Sequence, residues 1–235
     1  MITLVLLPGM DGTGLLFADF ISALGPEFNT RVATYPADPP LGYDELEVVA
    51  RSFLPRDEPF ILLAESFSGP IAISIAASKP TGLVGLILCC SFARNPRAVL
   101  AGVGSFLGPA LAKLLPMAIL EKYLLGRPAS VRTRSALRQA LAAVSFNTLR
   151  ARAKVVAIVD VTPKLGALEI PVLYLRATHD LLVTRAACDL ILEKAPDARV
   201  AELKGPHLLL QAAPIAAAAV IRDFTRSTIE ISNHS

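Results

Sequence analysis

Apolar positions along this chain fall into short strand-like runs separated by longer stretches with helical spacing. Strand-like runs occupy Ile2–Leu7 and residues 31–35, 60–64, 83–90, 170–176 and 199–203. Most are nearly unbroken apolar runs bounded by Gly, Pro or Asp, the pattern of a strand covered on both faces. Between them, residues 15–24, 43–54, 71–77, 184–194 and 214–225 predict helices. In the second of these, Leu46, Val49, Ala50 and Phe53 share one helical face. Strands alternating with helices imply an α/β fold, a mostly parallel sheet with right-handed crossovers and helices on both faces.

The alternation breaks over residues 94–160. Gly and Pro punctuate predicted helical pieces at 98–106, 109–114, 116–125, 130–146 and 147–159, and residues 155–159 could also be read as a strand. The stretch reads as a helical insertion over one end of the sheet. The expected division is a core of residues 1–93 and 161–235 and a helical cap of residues 94–160. Residues 227–235 are polar and are expected to fray.

Composition narrows the class. The chain has 235 residues, 53% of them hydrophobic, enough for one sizeable core. A net charge of +3 and an aromatic content of 6% argue against nucleic acid as a partner. Cys89 and Cys90 are adjacent in an apolar run, and with Cys188 they read as reduced core thiols in a reducing, cytoplasmic setting. No metal-binding spacing of Cys and His appears. The first apolar residues are too short for a secretory signal and lack its basic start. Residues 99–120 are the most membrane-like, but Lys113, two prolines and three glycines argue against a spanning helix. A mean hydropathy of +0.54 leaves peripheral membrane or lipid contact open.

In open α/β sheets ligands bind at the carboxyl ends of strands, so the polar residues standing there matter most. Ser66 follows the run 60–64 directly, among the small residues Ala64, Ser68 and Gly69, with the apolar helix 71–77 beyond. A buried strand, a tight turn and a buried helix would lift Ser66 to the tip of a nucleophile elbow. The usual G-x-S-x-G reads here Ala64-Glu65-Ser66-Phe67-Ser68, with a glycine one place later. The alternative for Ser66 is a helix N-cap. Asp180 follows the strand 170–176, and His207 follows the strand 199–203. A hydroxyl, a carboxylate and an imidazole thus converge on one edge, as nucleophilic acyl transfer requires. Asp180 could instead be a helix N-cap, and His207 a satisfied core histidine. Asp160, at a helix end, is a rival acid. His179 is expected to point away from Asp180, and His234 lies in the tail.

The loop Pro8-Gly9-Met10-Asp11-Gly12 follows the first strand. The backbone N–H groups of Met10 and Phe67 would together form an oxyanion hole. A dinucleotide loop competes for the same glycines. It fails on bulky Phe17, where close helix packing needs Gly or Ala, and on the lack of a P-loop lysine.

Taken together, these segments resemble the α/β-hydrolase superfamily over nearly the whole chain. Leu6-Leu-Pro-Gly-Met-Asp-Gly-Thr-Gly14 is similar to its oxyanion loop, and Ala64-Glu-Ser-Phe-Ser-Gly69 to its elbow. Asp180 before Leu-Leu-Val, and His207 seven residues before Pro214, are similar to its acid and base segments. The resemblance implies a sheet of about six strands, because the superfamily's first two are missing here, and a cap formed by the helical insertion. It also implies a small carboxylesterase-like serine hydrolase acting through an acyl-enzyme on Ser66, with no cofactor. The first loop, with Glu65 before the serine, also looks like a group of esterase, thioesterase and acyltransferase proteins acting on lipid esters. Thioester hydrolysis, acyl transfer and a non-catalytic binding module on the same fold are the alternatives.

The expected substrate is a small-molecule ester with small or apolar groups. Leu100, Phe106, Leu111, Leu115, Leu120, Leu124 and Phe146 in the insertion could line its pocket or simply dock the insertion on the core. Gly9 and Leu182 complete the candidate substrate contacts with Leu124 and Phe146. Residues 122–159 carry eight basic side chains and no acidic one. They read as a solvated face, or as one meeting an anionic lipid surface or an acidic substrate group.

Overall fold

The structure is a computed structural model of the chain and describes residues 2–96, 117–126 and 129–232. Six strands form one sheet: β1 (Ile2–Leu7), β2 (Phe28–Val32), β3 (Phe60–Glu65), β4 (Leu83–Cys89), β5 (Val172–Ala177) and β6 (Ala198–Leu203). Their spatial order is β2-β1-β3-β4-β5-β6, and every neighbouring pair is parallel. Every residue of β1 and β3 is buried, which explains their unbroken apolar sequences.

Side chains alternate between the two faces of the sheet. Val5, Leu7, Leu62, Leu86 and Leu88 face α2 (Tyr43–Arg51) and α3 (Gly69–Ala77), with Leu46, Ala50 and Ile71 in the same cluster. Leu4, Leu6, Ile61, Leu63 and Ile87 face α1 (Ala18–Leu24) and the final helix, through Phe20, Leu24, Ile221 and Phe224. A 3-10 turn at Leu15–Phe17 leads into α1.

Between β4 and β5 the described part of the insertion folds as α4 (Met117–Leu125), α5 (Val131–Ala142) and α6 (Phe146–Ile158). Ser130 and Ser145 cap α5 and α6 by accepting from Thr133 and Thr148 N–H, at 3.0 and 3.1 Å. The two chain segments entering and leaving the insertion pair at its neck. Val161 N donates to Ala93 O at 2.8 Å, Asn95 N donates to Val159 O at 3.3 Å, and the backbones of Arg94 and Asp160 form an antiparallel β-bridge. Leu125, Leu137 and Ala140 dock the insertion on Leu16 and Leu208. A 3-10 segment at Thr162–Ala167 returns the chain to β5, followed by α7 (Arg185–Lys194), β6, the short α8 (Leu209–Ala212) and α9 (Pro214–Ser232). Among the described residues no helix is long and apolar enough to cross a membrane. The helices expected at 98–106 and 109–114, with Leu100, Phe106, Leu111 and Leu115, lie outside the described residues.

Two expectations need correction. The second strand lies at Phe28–Val32, not 31–35. It is an edge strand with Phe28 buried opposite Ile2, Asn29 and Arg31 exposed and Thr30 and Val32 half-buried, so polar Asn29 and Thr30 masked it. The ambiguity at residues 155–159 resolves to the helical reading, since α6 runs to Ile158. The tail does not fray at residue 227, since α9 continues to Ser232. Thr225 and Thr228 are buried and turn their hydroxyls back onto Ile221 and Phe224 carbonyls, at 2.8 and 2.9 Å. Gly85 of β4 makes this possible: a Cβ there would stand 3.2 Å from Phe224 Cε1 and 3.4 Å from Thr228 Cγ2.

Phe224 therefore anchors α9 to the sheet, with the Arg199 guanidinium 5.0 Å from its ring centre. Phe224→Ala is expected to cost about 3–5 kcal/mol of stability, the usual range for emptying a buried aromatic site. The measurement is the urea midpoint, which should fall while the m value holds.

Candidate active site

The site forms where β1, β3, β5 and β6 end on the carboxyl edge of the sheet. Strand β3 is extended through Glu65, and the chain then reverses at Ser66, whose φ is +49°. Few non-glycine residues adopt that conformation, and a strained residue at a strand-to-helix turn is the geometry of an elbow. The turn is held from outside. Ser91 Oγ donates to Ser66 O at 2.5 Å, and Gly69 N–H reaches the same carbonyl. A Cβ on Gly69 would overlap Ser91 Oγ and come within 3.0 Å of Phe92 O, so the indispensable glycine is Gly69.

Ser68 takes the place usually held by glycine, and its side chain is used rather than merely tolerated. Its hydroxyl donates to Pro8 O and meets Tyr35 OH at 2.7 Å, which ties the elbow to the loop after β1. Ala64 is a wholly buried strand residue in this arrangement.

Ser66 Oγ lies 2.8 Å from His207 Nε2, and His207 Nδ1 lies 2.8 Å from Asp180 Oδ2. The structure thus brings together the three residues that were expected to meet. His207 is 3% exposed, after Gly205 and Pro206 at the end of β6. Asp180 is not the N-cap of α7, a position held by Thr184. Its Oδ1 accepts from the N–H groups of Leu182 and Val183 at 2.8 and 2.9 Å, while Oδ2 faces the imidazole. Burial pushes its carboxyl up, but the His207 hydrogen bond and charge and the two backbone donors outweigh that and hold it below the usual value. The rival Asp160 accepts from Thr162 instead, and His179 is exposed with its Nδ1 beside Thr178. His234 lies outside the described residues.

Both expected oxyanion donors sit in braced backbone. Phe67 follows Ser66; its carbonyl accepts from Tyr43 OH at 3.1 Å and its ring stacks on Tyr43 with centroids 4.9 Å apart. Met10 is inside a turn closed by Gly12 N–H on Gly9 O at 3.0 Å. Arg152 of α6 donates to Met10 O, Asp11 O and Pro36 O at 2.8, 3.0 and 2.9 Å.

The candidate substrate contacts behave differently from one another. Gly9 is buried beneath the turn, with Glu65 and Asp11 around the place a Cβ would occupy. Leu182 flanks Asp180 through its N–H. Leu124 docks α4: its carbonyl accepts from Leu208 N at 2.9 Å, and its side chain packs beside Leu208 and Leu125. Phe146 opens α6 and is half-buried. Of the described basic residues in 122–159, Lys122, Arg132, Arg134, Arg138, Arg150 and Lys154 are solvent-exposed, with Arg132 pairing with Asp19 and Arg138 with Glu121, while Arg152 is wholly buried.

Sequence reasoning missed Arg152, Tyr35, Tyr43 and Ser91. Arg152 carried a faint signal as a long basic residue four places after Thr148, which is also buried. The partners of all four are loop carbonyls, hydroxyls and rings distant in the sequence.

Glu65 lies under the elbow, 1% exposed, and accepts from Gln211 Nε2 at 3.3 Å, while its Oε1 has no hydrogen-bond partner among the described residues. Burial pushes its carboxyl up to about 8, the Gln211 hydrogen bond opposes this, and nearby Asp11 adds to it. Between the ordinary value of 4.5 and about 8, the folded chain binds a proton that the unfolded chain has lost. Stability must therefore fall as pH rises through that window, by up to about 1.4 kcal/mol per pH unit. Glu65→Gln is expected to flatten the fall of Tm between pH 5 and pH 8, read by thermal unfolding at about one-unit steps. An unchanged slope would show that Glu65 does not carry it.

Residues 47–207 match the family described as serine aminopeptidase, S33. A stretch of 159 residues is 28% identical to Phytyl ester synthase 1, chloroplastic, of Arabidopsis thaliana, covering 64% of this chain and 22% of that protein. The chain thus spans about a fifth of that relative's length. The enol-lactonase from Burkholderia xenovorans LB400 shares the fold with a TM-score of 0.74 at 20% identity, over 96% of this chain and 91% of that one. An esterase from Rhodococcus sp. ECU1013 does so with a TM-score of 0.76 at 20% identity, over 97% and 91%. At such identities the two structures speak for the fold alone. The family match spans β3, the elbow, the insertion, Asp180 and His207, and with the six-stranded parallel sheet it means that the chain belongs to the serine aminopeptidase S33 family of α/β hydrolases.

Proposed function

We propose that this chain is a serine hydrolase of carboxylic esters that works through an acyl-enzyme on Ser66. The observation that carries the reading is the unbroken link from Asp180 through His207 to a serine held at positive φ. Ser66 Oγ attacks the ester carbonyl as its proton passes to His207 Nε2, and the carbonyl oxygen becomes an oxyanion. The N–H groups of Met10 and Phe67 receive that charge. Collapse breaks the bond to the leaving alkoxide, which takes the proton from His207. Water then attacks the acyl-serine with His207 as base, releasing the acid and restoring Ser66. Asp180, ionised near neutrality, orients the imidazole and stabilises its charged form.

On this reading the insertion is a cap, and the chain segments entering and leaving it pair at residues 93–95 and 159–161. Its apolar composition suits an acyl or alcohol group without charge.

A second reading, acyl transfer to an alcohol, is favoured by the stretch shared with a phytyl ester synthase. It changes only the second half-reaction, with an alcohol replacing water.

Ser66→Ala is expected to lower kcat on a short p-nitrophenyl ester by about 10⁴–10⁶-fold, as for other serine hydrolase nucleophiles. Retention of wild-type turnover would remove Ser66 from the role. Hydrolysis and transfer separate when a long-chain alcohol is added to the assay. A hydrolase returns the free acid as its main product, whereas an acyltransferase returns mostly the new ester.

A further inference from the structure

Arg152 is the largest wholly buried side chain in the described protein, and it belongs to the insertion rather than to the sheet. A buried guanidinium needs acceptors on its fork, since an unpaired buried charge is very costly. Among the described residues no carboxylate forms an ion pair with it, although the Asp11 charge favours its protonated form. Nη1 donates to both central carbonyls of the turn at residues 9–12, Met10 O and Asp11 O, and Nη2 donates to Pro36 O. The guanidinium also lies 5.7 Å from the ring centre of Tyr35, whose hydroxyl meets Ser68.

We propose that Arg152 is a positioning residue for the oxyanion hole, clamping the turn at residues 9–12 from α6 so that the Met10 N–H keeps its alignment. The proposal rests on the role given to Met10 under the proposed function. Peptide planarity makes the geometry transitive. Gly9 O is held by Gly12 N–H, and in a trans peptide the N–H of Met10 points opposite to that carbonyl. The next two carbonyls have no partner within the turn itself, and Arg152 fixes both. Gly12 completes the fit. Its φ is +72°, and a Cβ there would lie 2.6 Å from Arg152 Nη1 and 3.1 Å from Nη2. One turn earlier on α6, buried Thr148 donates to Ala37 O at 2.6 Å. The helix therefore grips two neighbouring loops of the core through two polar side chains, and the alignment of one oxyanion donor depends on a segment outside the sheet. Lysine cannot do the same, because a point ammonium lacks the fork that spans three carbonyls.

The test compares wild type, Arg152→Met, Arg152→Gln and Thr148→Val on a short p-nitrophenyl ester, with rates normalised to the fraction titrated by a fluorophosphonate. A second readout is the affinity for an alkyl boronic acid, whose serine adduct places an oxygen in the oxyanion hole. The expected result for Arg152→Met is a kcat lowered about 100-fold, the scale of one lost oxyanion donor, with KM unchanged. Boronate affinity should fall in parallel. Arg152→Gln keeps two N–H donors and should lose about tenfold, and Thr148→Val less than threefold. Normalised kcat and boronate affinity equal to wild type in Arg152→Gln would overturn the proposal. So would a raised KM with kcat held, which would make Arg152 part of the substrate cleft, or an Arg152→Gln protein with no titratable fraction, which would make it a stability residue alone. A wild type that neither turns over the ester nor reacts with the fluorophosphonate would instead refute the proposed function.

Discussion

One residue held in a left-handed conformation organises the carboxyl edge of the sheet. A positive φ at a serine costs on the order of 1–2 kcal/mol and persists only where the surroundings over-determine it. Here β3 is buried on both faces before the turn and α3 is buried along most of its length after it, so neither end can relax. The loop after β4 closes the remaining freedom, with Ser91 on the Ser66 carbonyl and packed against Gly69. The turn presents Ser66 Oγ to His207 Nε2 at 2.8 Å.

The departure from the usual elbow pattern has a physical explanation. Glycine is needed where another chain segment approaches within contact distance, and in this chain that point is Gly69, against Ser91 and Phe92. Ser68, one place earlier, faces hydrogen-bond partners instead, and its hydroxyl joins the elbow to Pro8 and Tyr35. The two walls of the proposed oxyanion hole are thereby held at one spacing. Tyr43 braces the Phe67 side and Arg152 the Met10 side. Glu65 lies buried under the elbow, and burial pushes its carboxyl up.

The parts of this architecture legible in the sequence are those whose cause is local. Strands β1 and β3 are runs buried on both faces, and their apolar residues announce them. Ser66, Asp180 and His207 could be placed because each stands just after a strand, and strand ends share one edge in a parallel sheet. Strand β2 was misplaced by three residues because an edge strand is half-solvated and carries Asn29 and Thr30. The last turns of α9 were missed because their support is Gly85 on a distant strand. Arg152 was hidden among basic residues that look alike in sequence. Only the folded chain separates the one that meets three carbonyls from those paired on the surface.

The central claim is that Ser66 is the residue that becomes covalently modified and that His207 makes it reactive. It is tested most directly by treating the folded protein with a fluorophosphonate and mapping the modified peptide by mass spectrometry. The account predicts one adduct, on Ser66, formed rapidly in the wild type and lost in His207→Ala. An adduct on another residue, or labelling of Ser66 that survives loss of the imidazole at the wild-type rate, would contradict it.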